Sequence, residues 1–337
     1  SIPPFAHRFE HYRSTDQNVF DIQQGVSIIF LIKDKDKKIS NEKSIYHQDL
    51  YGLREIKENG SLIGGKYYWL NENDFSSTNW QILQPDLPFY LFNSQNIVLR
   101  EEYNQFPKIV DIMPNYSLGC LTKRDKLVIG ITHKKLEKQI LDFIDPKQSD
   151  QEAVDKFSLK LKDQDMWNAS EARKSVEISN FDQYIKTESF RPFDKRYIFY
   201  HPKFVARLNT RIMYNLENPN IAFVFVRQLA SLPFDHIWIT DSLTDQHNIS
   251  VRTKEGGVVS PLYIYPTDNP TLFEPPPTSA PGGRRPNLDE KFTQEIAQKL
   301  NLEFIPDGKG DQSQTFGPED IFNYIYAVFH WEHPTFS

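Results

Sequence analysis

The sequence contains a single cysteine, Cys120, among its 337 residues. One cysteine excludes an intramolecular disulfide and a cysteine-rich zinc site, and it is typical of a protein kept in a reducing cytoplasm. No apolar run reaches the length of a membrane span, and residues 1–5 show neither the charged nor the apolar region of a secretion signal. We therefore expect a cytoplasmic protein with no membrane partner.

The motifs of nucleotide-binding and hydrolytic enzymes are also missing. The sequence has no Walker loop, no GxGxxG, no GxSxG and no HExxH. Acids do neighbour imidazoles, at Asp235 with His236 and at Asp245 with His247. Such pairs beside a strand are more often surface or capping groups than metal ligands. We expect no metal site here and offer no residue as catalytic.

The composition predicts a strand-rich fold. Hydrophobic residues make up 39% and aromatic residues 14% of the chain, a mixture that favours β-structure. The length exceeds that of a usual single domain, so two compact units or one composite domain is expected. We predict a mixed α/β fold with mostly antiparallel sheets flanked by helices and a helical C-terminal segment.

Apolar patterns predict individual elements along the chain. Residues 26–32 are continuously apolar and are interpreted as a buried strand that begins a hairpin, with its return near residues 44–46. Proline and glycine at residues 266–286 predict a linker. Helices are expected after Asn287 or Asp289 and from Pro318. Further strands are expected at residues 127–131, 221–226, 236–240 and 260–266, and helices at 134–143 and within 148–174.

A stretch rich in cations and aromatics, residues 191–200, suggests nucleic-acid binding. The formal net charge is −6, which argues against a histone-like binder because such proteins need a broad cationic field. A local basic surface is still possible, since clustered cations bind phosphates and aromatic rings stack on bases. The alternative is a half-buried strand with one wet face. The candidate phosphate and groove contacts are Arg191, Arg196, Lys203, Arg207 and Arg211, the last three on one face if that segment is helical.

Two further segments carry candidate contacts. Residues 240–253 are rich in the side chains that read base edges, although a polar loop capping its own backbone explains them as well. Residues 117–125 form a basic turn in which Gly119 would let the backbone approach a phosphate, the alternative being a plain hairpin turn. The base-reading candidates are Asn248, Ser250, Arg252, Arg227 and Gln228, and the backbone anchors are Lys123 and Arg124.

Several of these blocks, in this order, resemble the C-terminal part of type ISP restriction–modification enzymes, which are single-polypeptide type I enzymes. The blocks are residues 18–26 (NVFDIQQGV), 51–54 (YGLR), 119–126 (GCLTKRDK), 191–200 (RPFDKRYIFY), 227–228 (RQ), 261–266 (PLYIYP) and 318–327 (PEDIFNYIYA). Enzymes of this family join a nuclease, a helicase-like ATPase, an N6-adenine methyltransferase and a target-recognition domain. The resemblance implies a prokaryotic cytoplasmic protein that recognises a duplex DNA sequence.

The resemblance also implies a domain arrangement. Residues 1–70 would be the end of the methyltransferase domain, and residues 71–337 the DNA target-recognition domain, with the linker at 266–286 and the helical segment at 287–337.

The Asn/Asp-Pro-Pro-aromatic motif of adenine methyltransferases is incomplete in this chain, because Ile2 precedes Pro3, Pro4 and Phe5. This chain is therefore expected to bind no cofactor. The parent polypeptide would use S-adenosylmethionine, ATP and Mg, and its methyltransferase and ATPase/nuclease domains would be the protein partners. The alternatives are a divergent complete methyltransferase and a protein-interaction module.

Overall fold

The structure, a computed structural model, describes residues 16–20, 22, 26–32, 45–85, 90–94, 96–163, 166–227, 237–249, 256–267 and 275–331. The chain forms two compact units, residues 1–106 and residues 107–337. This division lies after the boundary near residue 70 that the sequence suggested.

The N-terminal unit holds short elements. They are β1 Ile45–His47, β2 Ile56–Glu58, β3 Ser61–Gly64, α1 Lys66–Glu72, β4 Gln81–Leu83 and α2 Ile97–Gln105. β1 pairs antiparallel with β4, and β2 with β3. Tyr46, Phe75 and Trp80 form an aromatic cluster beside the β1–β4 pair, with ring centroids 5.4 Å apart for Tyr46 and Phe75 and 5.3 Å apart for Phe75 and Trp80.

The predicted buried strand at residues 26–32 is wrong. These residues have no regular secondary structure and their side chains are exposed. The predicted return strand exists as β1, but its partner is β4. An apolar run predicts that a segment can be buried, but it does not specify the surface that buries it.

Two four-stranded sheets organise the C-terminal unit. The first sheet has the order β10-β9-β12-β5, all antiparallel, and the second has the order β11-β7-β8-β6, antiparallel except for β11 with β7. The strands are β5 Ser117–Leu118, β6 Ile129–Gly130, β7 Ile185–Arg191, β8 Asp194–Phe199, β9 Ala222–Phe225, β10 Ile237–Thr240, β11 Leu243–Thr244 and β12 Val258–Pro261. The predicted mixed α/β class with mostly antiparallel sheets is confirmed.

Helices lie before and between the strands of the C-terminal unit. They are α3 Ile109–Ile112, α4 Asp125–Val128, α5 His133–Ile144, α6 Asp150–Lys156, α7 Ala169–Lys174 and α8 Thr210–Met213. Among them, α4 and α5 contact the second sheet. α5 begins where the Thr132 hydroxyl accepts a hydrogen bond from Lys135 N, and its apolar face buries Leu136, Ile140 and Phe143. This helix was predicted. The strand predicted at residues 127–131 is only β6, because α4 occupies its first half. The polar stretch at 148–174, predicted to be helical, contains α6 and α7.

The chain crosses between the sheets at two adjacent points. Residues beyond β5 leave the first sheet, and β10 continues directly into β11 of the second. Cys120 and Asp245 form a parallel bridge where these crossings meet. At Gly119 an added Cβ would lie 2.6 Å from the Thr244 carbonyl oxygen. The close approach predicted at Gly119 is therefore real, but in this structure it is made by the chain's own backbone.

The C-terminal segment packs on the first sheet. It contains β13 Tyr263–Ile264, β14 Arg285–Pro286, α9 Glu290–Leu300, β15 Glu303–Phe304, β16 Thr315–Phe316 and α10 Pro318–Phe329. Phe322 of α10 stacks on Phe223 of β9 with centroids 3.8 Å apart. The helical C-terminal prediction is confirmed, and Asp289 is the cap of α9.

The end of the predicted linker is part of this fold. β14 pairs with β13, and the Arg284 guanidinium lies 3.8 Å from the Tyr263 ring centroid and 2.7 Å from the Asp307 carboxylate. Side-chain contacts to the main body therefore hold a segment that has too few apolar residues for a core of its own. The central residues 268–274 lie outside the described ranges.

Candidate nucleic-acid interface

The sequence stretch at 191–200 forms the turn and second strand of a hairpin. β7 and β8 pair from Ile185 with Phe199 to Arg191 with Asp194, leaving Pro192 and Phe193 as the turn. Three cations at its tip are each close to an acid. Only Arg196 has its partner, Asp194, within the hairpin, whereas the partners of Arg191 and Lys195 come from the segment after β10. Lys195 Nζ lies 2.8 Å from Asp241 Oδ2.

The two hairpin arginines are held by internal partners. Arg191 Nη1 donates to Asp245 Oδ1 at 2.8 Å, and Arg196 Nη2 donates to Asp194 Oδ2 at 2.7 Å. Both guanidinium carbons lie over the Phe190 ring, at 3.9 Å and 4.1 Å from its centroid. Both side chains are half-buried. Each already neutralises a carboxylate, and their role as phosphate or groove contacts stays a prediction.

Beneath the hairpin lies a buried acidic cluster that the sequence did not reveal. Glu188 of β7 is fully buried, and Cys120 Sγ donates to its Oε1 at 3.0 Å. Burial raises the pKa of Glu188 to about 8, with the Asp245 charge adding to the effect. Burial also raises the pKa of Asp245, although its ion pair with Arg191 opposes the shift, and raises the pKa of the Cys120 thiol. A neutral Glu188 is thus the form that the fold favours.

Asn248, a predicted base-reading residue, is only 2% exposed. Its Nδ2 donates to the Ser189 carbonyl at 2.8 Å and to the Ser189 hydroxyl at 3.0 Å. The side chain therefore ties the 240–249 segment to β7, which corrects the prediction that it faces a base. The other base-reading candidates Ser250, Arg252 and Gln228 lie outside the described residues, and their role stays a prediction.

Arg124, a predicted backbone anchor, is also a structural residue. It is 3% exposed, pairs with Asp163, donates to the Phe204 carbonyl at 3.1 Å and lies 4.4 Å from the Trp167 ring centroid. These contacts correct the prediction that it meets DNA. Its neighbour Lys123 is exposed, in the left-handed region with φ 56°.

The row of cations at positions 203, 207 and 211 is not helical as a whole. Only α8, which contains Arg211, is helical, and the Arg207 backbone instead exchanges two hydrogen bonds with Leu121, of 2.9 and 3.0 Å. The condition under which helical spacing would align these three cations is therefore not met. The four-residue spacing of the cations is compatible with a helix, but the backbone conformation at Arg207 is set by its pairing with the distant Leu121.

That pairing assembles a different basic surface. The antiparallel neighbours are Arg211 with Asn115, whose side chains lie 3.4 Å apart, Asn209 with Gly119 at 2.8 Å, and Arg207 with Leu121. We call residues 115–124 and 203–211 the basic ribbon. Neither segment contains an acidic residue, and its exposed cations are Lys123, Lys203, Arg207 and Arg211.

The pairing of these exposed cations differs. Lys203 lies 3.5 Å from Glu171, and both side chains are more than half exposed, so this ion pair is weak. Arg207 forms no ion pair within the described part of the chain. The same holds there for Arg227, which is exposed just beyond β9. The ribbon is therefore a surface on which phosphates can replace solvent.

Other site types find no support among the described residues. No group of three or more histidine, cysteine, aspartate or glutamate side chains there is arranged to hold a metal ion. Among the helices in those ranges, none combines the length and apolar character needed to cross a membrane.

Comparison with known proteins identifies the family of this two-sheet unit. The model of the Type ISP C-terminal specificity domain matches residues 111–336. The chain therefore belongs to this family, as the sequence resemblance suggested. A search of curated proteins gave no match.

Solved structures also match this chain, and the first of them has a similar fold. The DrdV–DNA complex matches 79% of this chain at 18% identity with a TM-score of 0.51, and the chain covers 25% of it. A nuclease-deletion mutant of the Type ISP enzyme LlaGI with a DNA substrate mimic matches 86% at 15% identity with a TM-score of 0.48, with 20% of it covered. The ATP-dependent Type ISP enzyme LlaBIII bound to DNA matches 76% at 18% identity with a TM-score of 0.47, with 15% covered. This chain spans a quarter or less of the length of these proteins.

Proposed function

We propose that this chain binds duplex DNA and acts as the target-recognition part of a type ISP restriction–modification enzyme. The observation that carries the proposal is the basic ribbon, which brings together two distant segments of a specificity-domain fold that contain exposed cations and no acidic residue. Exposed cations that neutralise phosphates release counterions, which drives binding even when the net charge of the protein is negative. The DNA-bound state of DrdV supports the proposal.

In this proposal, catalysis resides elsewhere in a longer polypeptide. The sequence lacks a methyl-donor loop and a nucleotide-binding loop, so S-adenosylmethionine, ATP and Mg would act in the methyltransferase and ATPase/nuclease domains of the parent. The chain alone is expected to transfer no labelled methyl group to DNA. Measurable transfer by the pure chain would favour the alternative, a divergent complete methyltransferase.

The proposal is tested by measuring DNA affinity as a function of salt with Arg207→Ala. Arg207 contributes to the fold through its backbone bonds to Leu121, which alanine retains. Fluorescence anisotropy with a random-sequence duplex should show weaker binding by the variant and a salt slope smaller by about 0.9, as expected for the loss of one phosphate contact. Lys291→Ala, which removes an exposed cation from α9, is the matched control and should leave the slope unchanged.

Two outcomes would contradict the proposal. Wild-type protein that binds no duplex would remove it altogether. Binding that is insensitive to salt and to Arg207→Ala would point instead to an apolar contact, as expected for a protein-interaction module.

A further inference from the structure

The hairpin tip between β7 and β8 carries a large apolar side chain in an unusual position. The Phe193 side chain is 94% exposed, and its backbone is left-handed with φ 62°. Proline before it fixes a φ of roughly −65°, so the two residues have the pattern of a type II turn, whose second position favours glycine or asparagine. A bulky residue there costs stability in the folded protein.

The tip is held rigidly although Phe193 itself is exposed. The Phe193 ring meets the ring of Trp238 on β10 edge-on, with centroids 5.2 Å apart and planes at 89°. On either side of the turn, Arg191 pairs with Asp245 and Arg196 with Asp194. The ring is therefore directed outward from a fixed base, and its contact with Trp238 covers little of it.

The charges near the tip indicate what it meets. Arg191, Lys195 and Arg196 are balanced by Asp194, Asp241 and Asp245, so this tip offers little general attraction for phosphates. The exposed pair of Lys195 with Asp241 is weak enough for a phosphate to replace the carboxylate. Trp238 pairs with Val224 of β9, and the exposed Arg227 lies three residues after Val224, just beyond the end of that strand.

The tip also adjoins the basic ribbon. Cys120 of the ribbon bridges Asp245, and Asp245 in turn binds Arg191 at the base of the tip. This buried connection fixes the hairpin to the ribbon backbone. Proteins that distort DNA commonly combine phosphate contacts with an apolar side chain inserted at a base step.

We propose that Phe193 is a wedge that inserts between adjacent base pairs of bound duplex DNA and unstacks them. This inference rests on the proposed function, because the ribbon supplies the affinity that brings the duplex to the tip. Unstacking depends on the base step, since pyrimidine–purine steps separate most readily. The wedge would thus add sequence selectivity without a hydrogen bond to a base.

The test uses Phe193→Asn in the full chain. Asparagine suits a positive φ, so the variant should have a thermal midpoint at or above that of wild type, and any loss of function cannot come from misfolding. The probes are duplexes recovered by selection on the wild-type protein from a random pool, carrying 2-aminopurine at each position in turn. Binding of wild type should raise the fluorescence at one step, which reports unstacking.

Phe193→Asn should abolish this rise while its affinity changes by less than about tenfold, because lost wedge contacts and the avoided cost of unstacking offset one another. Phe193→Tyr keeps a ring and should retain the rise. Tyr324→Asn, which alters a 71% exposed aromatic on α10, is the matched control and should also retain it.

Failure of the wedge and failure of DNA binding are distinguishable. Wild type that binds the selected duplexes without a fluorescence rise at any position overturns the wedge and leaves DNA binding intact, as does a rise that persists in Phe193→Asn. Wild type that binds no duplex overturns both. Salt-independent self-association that Phe193→Asn removes would assign the tip to a protein contact instead.

Discussion

Replacing Glu188 with glutamine should stabilise the C-terminal unit, and the gain should grow with pH. Glu188 is fully buried, and its Oε2 accepts no hydrogen bond from the described residues. The ionised form is therefore poorly solvated, which raises the pKa from 4.5 to about 8. Glutamine keeps the shape and still accepts the hydrogen bond from Cys120 Sγ.

The sign follows from proton binding. Between pH 4.5 and 8 the folded protein keeps a proton on Glu188 that the unfolded chain has released, so the free energy of unfolding falls as pH rises. Each pH unit is worth about 1.4 kcal/mol, so at pH 7 the proton-linked cost of this carboxyl is about 3 kcal/mol. Glu188→Gln removes that cost, and the advantage should be nearly absent at pH 4.5.

Guanidinium unfolding of both proteins at pH 5, 6, 7 and 8 measures this difference. The control Glu290→Gln removes one negative charge from an exposed position at the start of α9, which accounts for the change in net charge. A stability difference between wild type and Glu188→Gln that is constant with pH, or that shrinks as pH rises, would refute the assignment of a neutral buried Glu188.

Three further predictions concern the crossings and the base-reading segment. Gly119→Ala should lower the free energy of unfolding by more than about 2 kcal/mol in thermal melts, because its Cβ would lie 2.6 Å from the Thr244 carbonyl oxygen. Gly256→Ala, whose Cβ would meet side-chain atoms of Leu118 and Gln246 rather than backbone, should cost less. Arg124→Ala should cost about 3 kcal/mol of stability by leaving a buried ion pair broken, with no change in the salt slope of DNA binding. Arg252→Ala should cost about 1–3 kcal/mol on a selected site and little on random duplex, measured by anisotropy.

Helices with local signals were predictable from the sequence. α5, α9 and α10 each combine a 3.6-residue apolar period with a capping residue or an N-terminal proline, as Thr132, Asp289 and Pro318 illustrate. These signals depend on neighbours within one turn. Tertiary contacts did not override them, because the apolar face that defines each helix is also the face that it buries.

Strand partners and the ribbon were not predictable in the same way. The pairing of Arg207 with Leu121 joins residues 86 positions apart, and no local pattern specifies it. Gly119 did carry a signal, since a glycine between larger residues indicates a close approach. The sequence could not tell whether the approaching group is a ligand or, as here, the carbonyl of Thr244.

The clustering of cations in the sequence did not predict which cations are exposed in the structure, and the reason is physical. The hairpin arginines find partners both inside the hairpin and across the fold. Arg196 is held by Asp194 and Phe190, whereas Arg191 is held by Phe190 and by Asp245, which is 54 positions away. Cations in the acid-free segments meet acids only from elsewhere in the chain, as Lys203 meets Glu171 and Arg124 meets Asp163. Arg207 remains exposed, and pairing of distant backbones places it on a common ribbon with Lys123. In this acidic protein, segments without acids therefore hold exposed cations such as Lys123 and Arg207, and a high local density of arginine did not indicate them.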